Sequence, residues 1–205
     1  MDTNVMLIQK KSIVYSKVLL ALIIILLLMG ALDVFRLVYA GTQSSKNFSI
    51  YENVDTFDDS SYYLSINEKD FYGMNLEKIQ TSMETSLPNY KVTYMLDMIV
   101  SIIRQAVFIG IFFIVYKMLN EINEEGSAFI ISNTKRLRII SALILVLVFI
   151  PAMLGLFVNF FIFSNASATY TFNDIMLILI SLAIWGISYV MDYGCELQKE
   201  VDQTL

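Results

Sequence analysis

The chain has 205 residues, is 57% hydrophobic, and sets fourteen basic against nineteen acidic side chains for a net charge of −5. Ordinary globular domains are about 45–50% apolar, so this composition points to lipid as the solvent and leaves too little chain for a separate soluble domain of ordinary size. With no His and a single Cys, Cys195, the sequence excludes an intramolecular disulfide, a Cys/His zinc site and any mechanism that needs a His general base.

The first apolar run covers 13–39, and three others follow at 92–119, 139–163 and 173–191. Each is long enough to cross the hydrocarbon core, which takes about 20 residues of helix. The expected fold is an all-α membrane protein, a four-transmembrane-helix bundle that forms one integral membrane domain over 1–205. The run 18–32 is uninterrupted, and Asp33 and Arg36 separate it from the small-x-small triplet Val38-Tyr39-Ala40. A retained helix is therefore expected over a cleaved leader.

Lys10, Lys11 and Lys17 flank the first run, while Lys117, Lys135, Arg136 and Arg138 flank the connection at 120–138. The connection at 164–172 has no basic residue, and the tail at 192–205 has Lys199. Basic residues mark the cytoplasmic side. Both termini and the 120–138 loop are thus expected inside, with the roughly 50-residue first loop, 40–91, outside. That loop holds four lysines against eight acids, and acids contribute little to orientation. Within it, 60–66 has the composition of a strand and 75–86 that of a short helix, and Pro88 closes the loop before the second span.

In the 120–138 loop, Glu121, Glu124 and Glu125 precede a turn at Gly126-Ser127, where Ser127 would cap a short helix at the inner interface leading into span three. Pro151 interrupts span three, and Gly155 and Asn159 follow it with helical spacing that suits helix–helix contact. Cys195 reads as an inert thiol.

Ionisable side chains inside a span need a partner or water. Asp33 and Arg36 are three apart in span one; Asp97 and Arg104 are seven apart in span two. The expectation is one intramembrane charge cluster of Asp33, Arg36, Asp97 and Arg104, in which Arg104 finds Asp33 or Asp97. It is read first as a structural tie between spans one and two and second as an ion or solute pathway. A pathway through so few spans would need a homo-oligomer. No GxxxxGK[ST], HExxH, CxxC or Gly-x-Gly-Asp pattern occurs, so neither an enzyme nor a bound cofactor is expected, and no direct contact with nucleic acid.

Two stretches carry a family resemblance. One is Glu125-Gly126-Ser127-Ala128-Phe129 followed by Asn133-Thr134-Lys135-Arg136-Leu137-Arg138. The other is Asp192-Tyr193-Gly194-Cys195-Glu196-Leu197-Gln198-Lys199-Glu200-Val201-Asp202. Together with four spans they resemble the YoaS-like family of small bacterial membrane proteins, a domain of unknown function. That family's pattern has a Gly–small–Phe turn, an Arg-Leu-Arg start to span three and a Gly-x-x-Leu-Gln-x-Glu-x-Asp exit from span four. Its usual Pro before the Phe is replaced here by Ala128, which loosens the turn. The resemblance implies a bacterial plasma-membrane protein without established activity. It also implies a partner, since such genes stand beside a small helix-turn-helix regulator of the Cro/C1 type. The surface this assigns to the cytoplasm is Gly126, Phe129, Lys135, Arg136, Arg138, Glu196, Gln198, Glu200 and Asp202, with Glu196, Glu200 and Asp202 expected to pair with Lys135, Arg136 and Arg138.

Overall fold

The structure, a computed structural model, describes residues 3–54, 60–67, 90–125, 130–163 and 172–204. Four helices dominate it: α1 (Thr3–Thr42), α2 (Tyr90–Glu125), α3 (Ile131–Phe163) and α4 (Phe172–Thr204). All four are long and apolar enough to cross a membrane, as in a multi-pass membrane protein. The helices overrun the apolar stretches because nothing in the flanking sequence stops them. Pro151 lies inside α3, and the helix continues on both sides of it; in lipid, neighbouring groups re-satisfy the backbone that Pro leaves open.

A short 3₁₀ turn (Ser45–Asn47) and an antiparallel hairpin of β1 (Phe48–Val54) and β2 (Ser60–Ile66) add a small β element to the expected helices. The strand expected at 60–66 is β2. The register pairs Phe48 with Ile66 and Tyr51 with Tyr63. The expected helix at 75–86 and the turn at Gly126-Ser127 lie outside the described residues.

The chain divides into two compact units. The first holds 1–29, 104–151 and 170–205; the second holds 30–103 and 152–169.

The buried faces of the helices follow a heptad rhythm. On α1 the buried or half-buried positions include Ser12, Ser16, Leu19, Ile23, Leu26, Gly30, Asp33, Leu37 and Ala40, alternating steps of four and three, with half-buried Arg36 beside them. On α4 they include Asp174, Leu177, Ser181, Ile184, Ser188, Met191 and Cys195, with the same alternation. Such a stripe keeps one helix face against its neighbours at the shallow crossing typical of membrane bundles.

In the first unit, α3 is tied to α4 by a reciprocal clasp. The Ser141 hydroxyl donates to the Ser181 carbonyl, and the Ser181 hydroxyl donates to the Ser141 carbonyl, both at 2.9 Å. Small side chains let the two backbones approach this closely. Ser12 on α1 donates to the Leu119 carbonyl of α2 at 2.8 Å. Ile140, Ile144, Leu147 and Val148 fill the rest of the α3 inner face.

The second unit has a different interior. Phe48 and Ile66 of the hairpin pack with Ala40 of α1 and Tyr94 and Met98 of α2, and Leu37 and Met95 extend the cluster. The Phe48 and Tyr94 rings lie 6.1 Å apart and tilted, a favourable aromatic arrangement. The hairpin is pinned where it leaves α1. Asn67 takes a positive φ of 58°, its N–H reaches the Asn47 carbonyl at 2.8 Å, and its amide donates to Gln43 and to the Tyr39 hydroxyl. Asn accepts that backbone conformation better than most residues. From the start of α2, Lys91 Nζ donates to the carbonyls of Gly41 at 2.9 Å and Gln43 at 2.6 Å. A cation on the last carbonyls of a helix satisfies them and opposes the negative end of its dipole.

Candidate functional site

Two groups of residues stand out, one in each unit. In the second, Asp33 is 6% exposed in the middle of an apolar helix. Its Oδ1 accepts Arg36 Nη1 at 2.9 Å across one helical turn, and its Oδ2 accepts the Ser101 hydroxyl of α2 at 3.2 Å. The pair is held because Asp33 sits on the heptad face of α1 that meets α2. A carboxylate with a guanidinium and a hydroxyl on its two oxygens is well compensated, and removing either charge would strand the other. Asp97, half-buried one turn before Ser101, is also engaged rather than free.

Arg104 stands apart. It belongs to the first unit, is exposed, and among the described residues makes no ion pair. The carboxylate of Asp33, which the sequence offered to Arg104, bonds to Arg36 and Ser101. The i,i+3 spacing places Arg36 on the same turn, where it reaches the acid at little cost in side-chain freedom.

The second group lies where α2, α3 and α4 of the first unit run past their apolar stretches. Arg136 pairs with Glu121 of α2, and Glu121 also accepts the Ser132 hydroxyl at 2.8 Å. Arg136 donates to the buried Asn133 as well, at 3.2 Å. Arg138 pairs with Asp192 of α4, donates to the Ser188 hydroxyl at 3.3 Å, and lies 5.1 Å from the Tyr189 ring centre. Both pairs are partly open to solvent, so each is worth about 0–1 kcal/mol and fixes helix register more than it stabilises.

These partners differ from those read in the sequence. Residues 136 and 138 lie about 200° apart around a helix, so Arg136 faces α2 while Arg138 faces α4. α4 continues as helix past Asp192, which carries Glu196 and Glu200 about 6 and 12 Å further along its axis. Lys135, Glu196, Gln198 and Glu200 are exposed. Gly126 and Phe129 lie outside the described residues, as does the side chain of Asp202. Cys195 is buried on the α4 stripe, which agrees with an inert thiol.

One feature escaped the sequence reading. Past Asp192, Tyr193, Leu197 and Val201 recur every four residues on α4, and they are 62%, 43% and 56% exposed. The signal is present in the sequence as an i, i+4, i+8 apolar series among charges.

No family model, curated protein or solved structure matches this chain.

Proposed function

We propose that this is a non-enzymatic protein of a bacterial cell membrane with a regulatory or sensory role. Its termini and the 120–138 connection lie in the cytoplasm, and residues 40–91 lie outside. The observation that carries the reading is the prolongation of α4. A hydrocarbon core about 30 Å thick takes up about twenty residues of helix, so counting from Phe172 it ends near Asp192. The remaining helix to Thr204 bears the exposed stripe Tyr193, Leu197 and Val201 beside exposed Glu196, Gln198 and Lys199. An amphipathic helical surface outside the bilayer is suited to a partner's groove or helix. The basic residues at the same ends of the helices support the orientation. The likeness of 125–138 and 192–202 to the YoaS-like motifs supports a helix-turn-helix regulator as the partner.

The test is a crosslinking pull-down from native membranes with wild type, Leu197→Asp and Lys135→Ala, all three confirmed to insert and fold. Wild type recovers a DNA-binding regulator, Leu197→Asp loses it, and Lys135→Ala weakens it. Recovery of the same proteins from all three would end the regulatory reading.

A second reading is a small transporter or channel-like subunit, oligomeric with itself. It is favoured by one observation, the buried Asp33–Arg36–Ser101 group inside candidate spans, since intramembrane charges mark pathways as well as ties. Asp97 and Arg104 would complete it. Flux in reconstituted vesicles, abolished by Asp33→Asn in a folded protein, would favour this reading.

A further inference from the structure

Along α2, Asp97 and Lys117 are twenty residues apart, and Arg104 is the one charged residue between them. At 1.5 Å per residue that interval is about 30 Å, the thickness of the hydrocarbon core. Asp97 and Lys117 thus mark its two faces, and Lys117 lies over the Phe113 ring at 4.8 Å, as cations at such a boundary do. Arg104 lies seven residues, or about 10 Å, inside the Asp97 face. Its side chain is exposed, as is Phe108 one turn on, so this face of α2 looks toward lipid.

A guanidinium at that depth that makes no ion pair among the described residues is costly. Insertion scales put Arg at a span centre at about 2.5–3.5 kcal/mol, relieved by snorkelling and local thinning of the bilayer. Side chains on a helix lean toward its N-terminus, which for α2 is the Asp97 end. Arg104 therefore reaches toward the nearer face and shortens the remaining gap. The anion waiting there is a phospholipid phosphodiester, whose paired oxygens match the guanidinium fork. A second copy of the chain is a poorer source: among the described residues Asp33 within span one, and Asp97 and Asp174 at the ends of their spans, are all engaged.

We propose that Arg104 is a lipid-binding residue that holds the phosphodiester of one phospholipid drawn inward from the leaflet at the Asp97 end of α2. A net-anionic lipid is preferred, because a headgroup ammonium would bring a second cation to the same place. The inference rests on the membrane spans and not on the regulatory reading, so either can fail without the other.

The test uses the full-length protein in detergent, titrated with phosphatidylglycerol or phosphatidylethanolamine and read by native mass spectrometry. Wild type retains one more phosphatidylglycerol than Arg104→Gln, with an affinity about tenfold or more higher, as one charge-assisted contact provides; Arg104→Lys retains part of the difference. Arg104→Gln removes a charge from the membrane and should fold at least as well. Spin-labelled phosphatidylglycerol in reconstituted vesicles gives a second readout, with a larger motionally restricted fraction for wild type. Equal lipid retention in wild type and Arg104→Gln would overturn the proposal. Displacement of the retained lipid by millimolar inorganic phosphate would overturn the assignment to a lipid.

Discussion

The two units bury different chemistry. In the first, the most completely buried side chains are Asn133, Thr134, Ser141, Ser181 and Ser188. In the second, the buried cluster is Ala40, Phe48, Ile66, Tyr94 and Met98. For Ser141 and Ser181, inside the apolar stretches of α3 and α4, the contrast follows from the solvent; Asn133 and Thr134 lie before the apolar stretch of α3, where Asn133 accepts from Arg136. Between helices in lipid, burying a leucine gains little, because the acyl chains are as apolar as the side chain. Small residues that allow close approach and hydroxyls that bond to carbonyls then decide which faces meet. Where the chain leaves the hydrocarbon, water restores a gain of about 25 cal/mol per Å² of apolar surface removed. A hairpin with two large apolar side chains can then dock on the helix ends.

That contrast can be broken most strongly at the aromatic cluster. Phe48→Ala, at a 5% exposed position, should cost about 3–5 kcal/mol, seen as loss of hydrogen-exchange protection over the hairpin. A loss confined to a few tenths would mean that the hairpin is held by Asn67 and Lys91 alone. The buried charge comes next. Asp33→Leu should cost about 3 kcal/mol by stranding Arg36, read as reduced resistance to unfolding in mixed micelles. The double variant Asp33→Leu/Arg36→Leu should recover most of that loss. If it does not, Asp33 matters through Ser101 and the pair is incidental. The smallest effect belongs to the serine clasp. Ser141→Ala with Ser181→Ala removes two interhelical hydrogen bonds and should cost about 1.2 kcal/mol, at a mean of about 0.6 for each in a membrane protein. Ser181→Leu should cost more, about 1–3 kcal/mol, because it forces α3 and α4 apart. The reverse order of these two would make the hydrogen bonds, rather than the small volume, the reason for serine.

The four spans were legible because uninterrupted apolar length is a strong signal, and β2 was legible from Ser60–Ile66 because Tyr62, Tyr63 and Ile66 favour a strand there. The inner faces were not, since helices that are apolar all round have no hydrophobic period to follow. The usable signal was the opposite one, the small or polar residues Ser12, Ser16, Gly30, Asp33 and Ala40, which share one face of α1 with the large apolar residues between them. The Asp33–Arg36 pairing was visible from spacing alone, whereas Ser101 was hidden because a serine in a span carries no mark of its partner. The partners of Arg136 and Arg138 were hidden because residues two apart on a helix point to nearly opposite sides, so that one reaches Glu121 of α2 and the other Asp192 of α4.

Lys91 has a consequence for the order in which the chain is built. It bonds to carbonyls at the end of α1 from about fifty residues further along. Until the start of α2 emerges, those carbonyls have only water to satisfy them, and Phe48 lacks the ring of Tyr94 to rest on. The hairpin therefore cannot mature as it is synthesised but must wait for the second span. A ribosome paused between Ile66 and Tyr90 would leave an inserted α1 with an undocked hairpin, open to protease at the water side until α2 arrives.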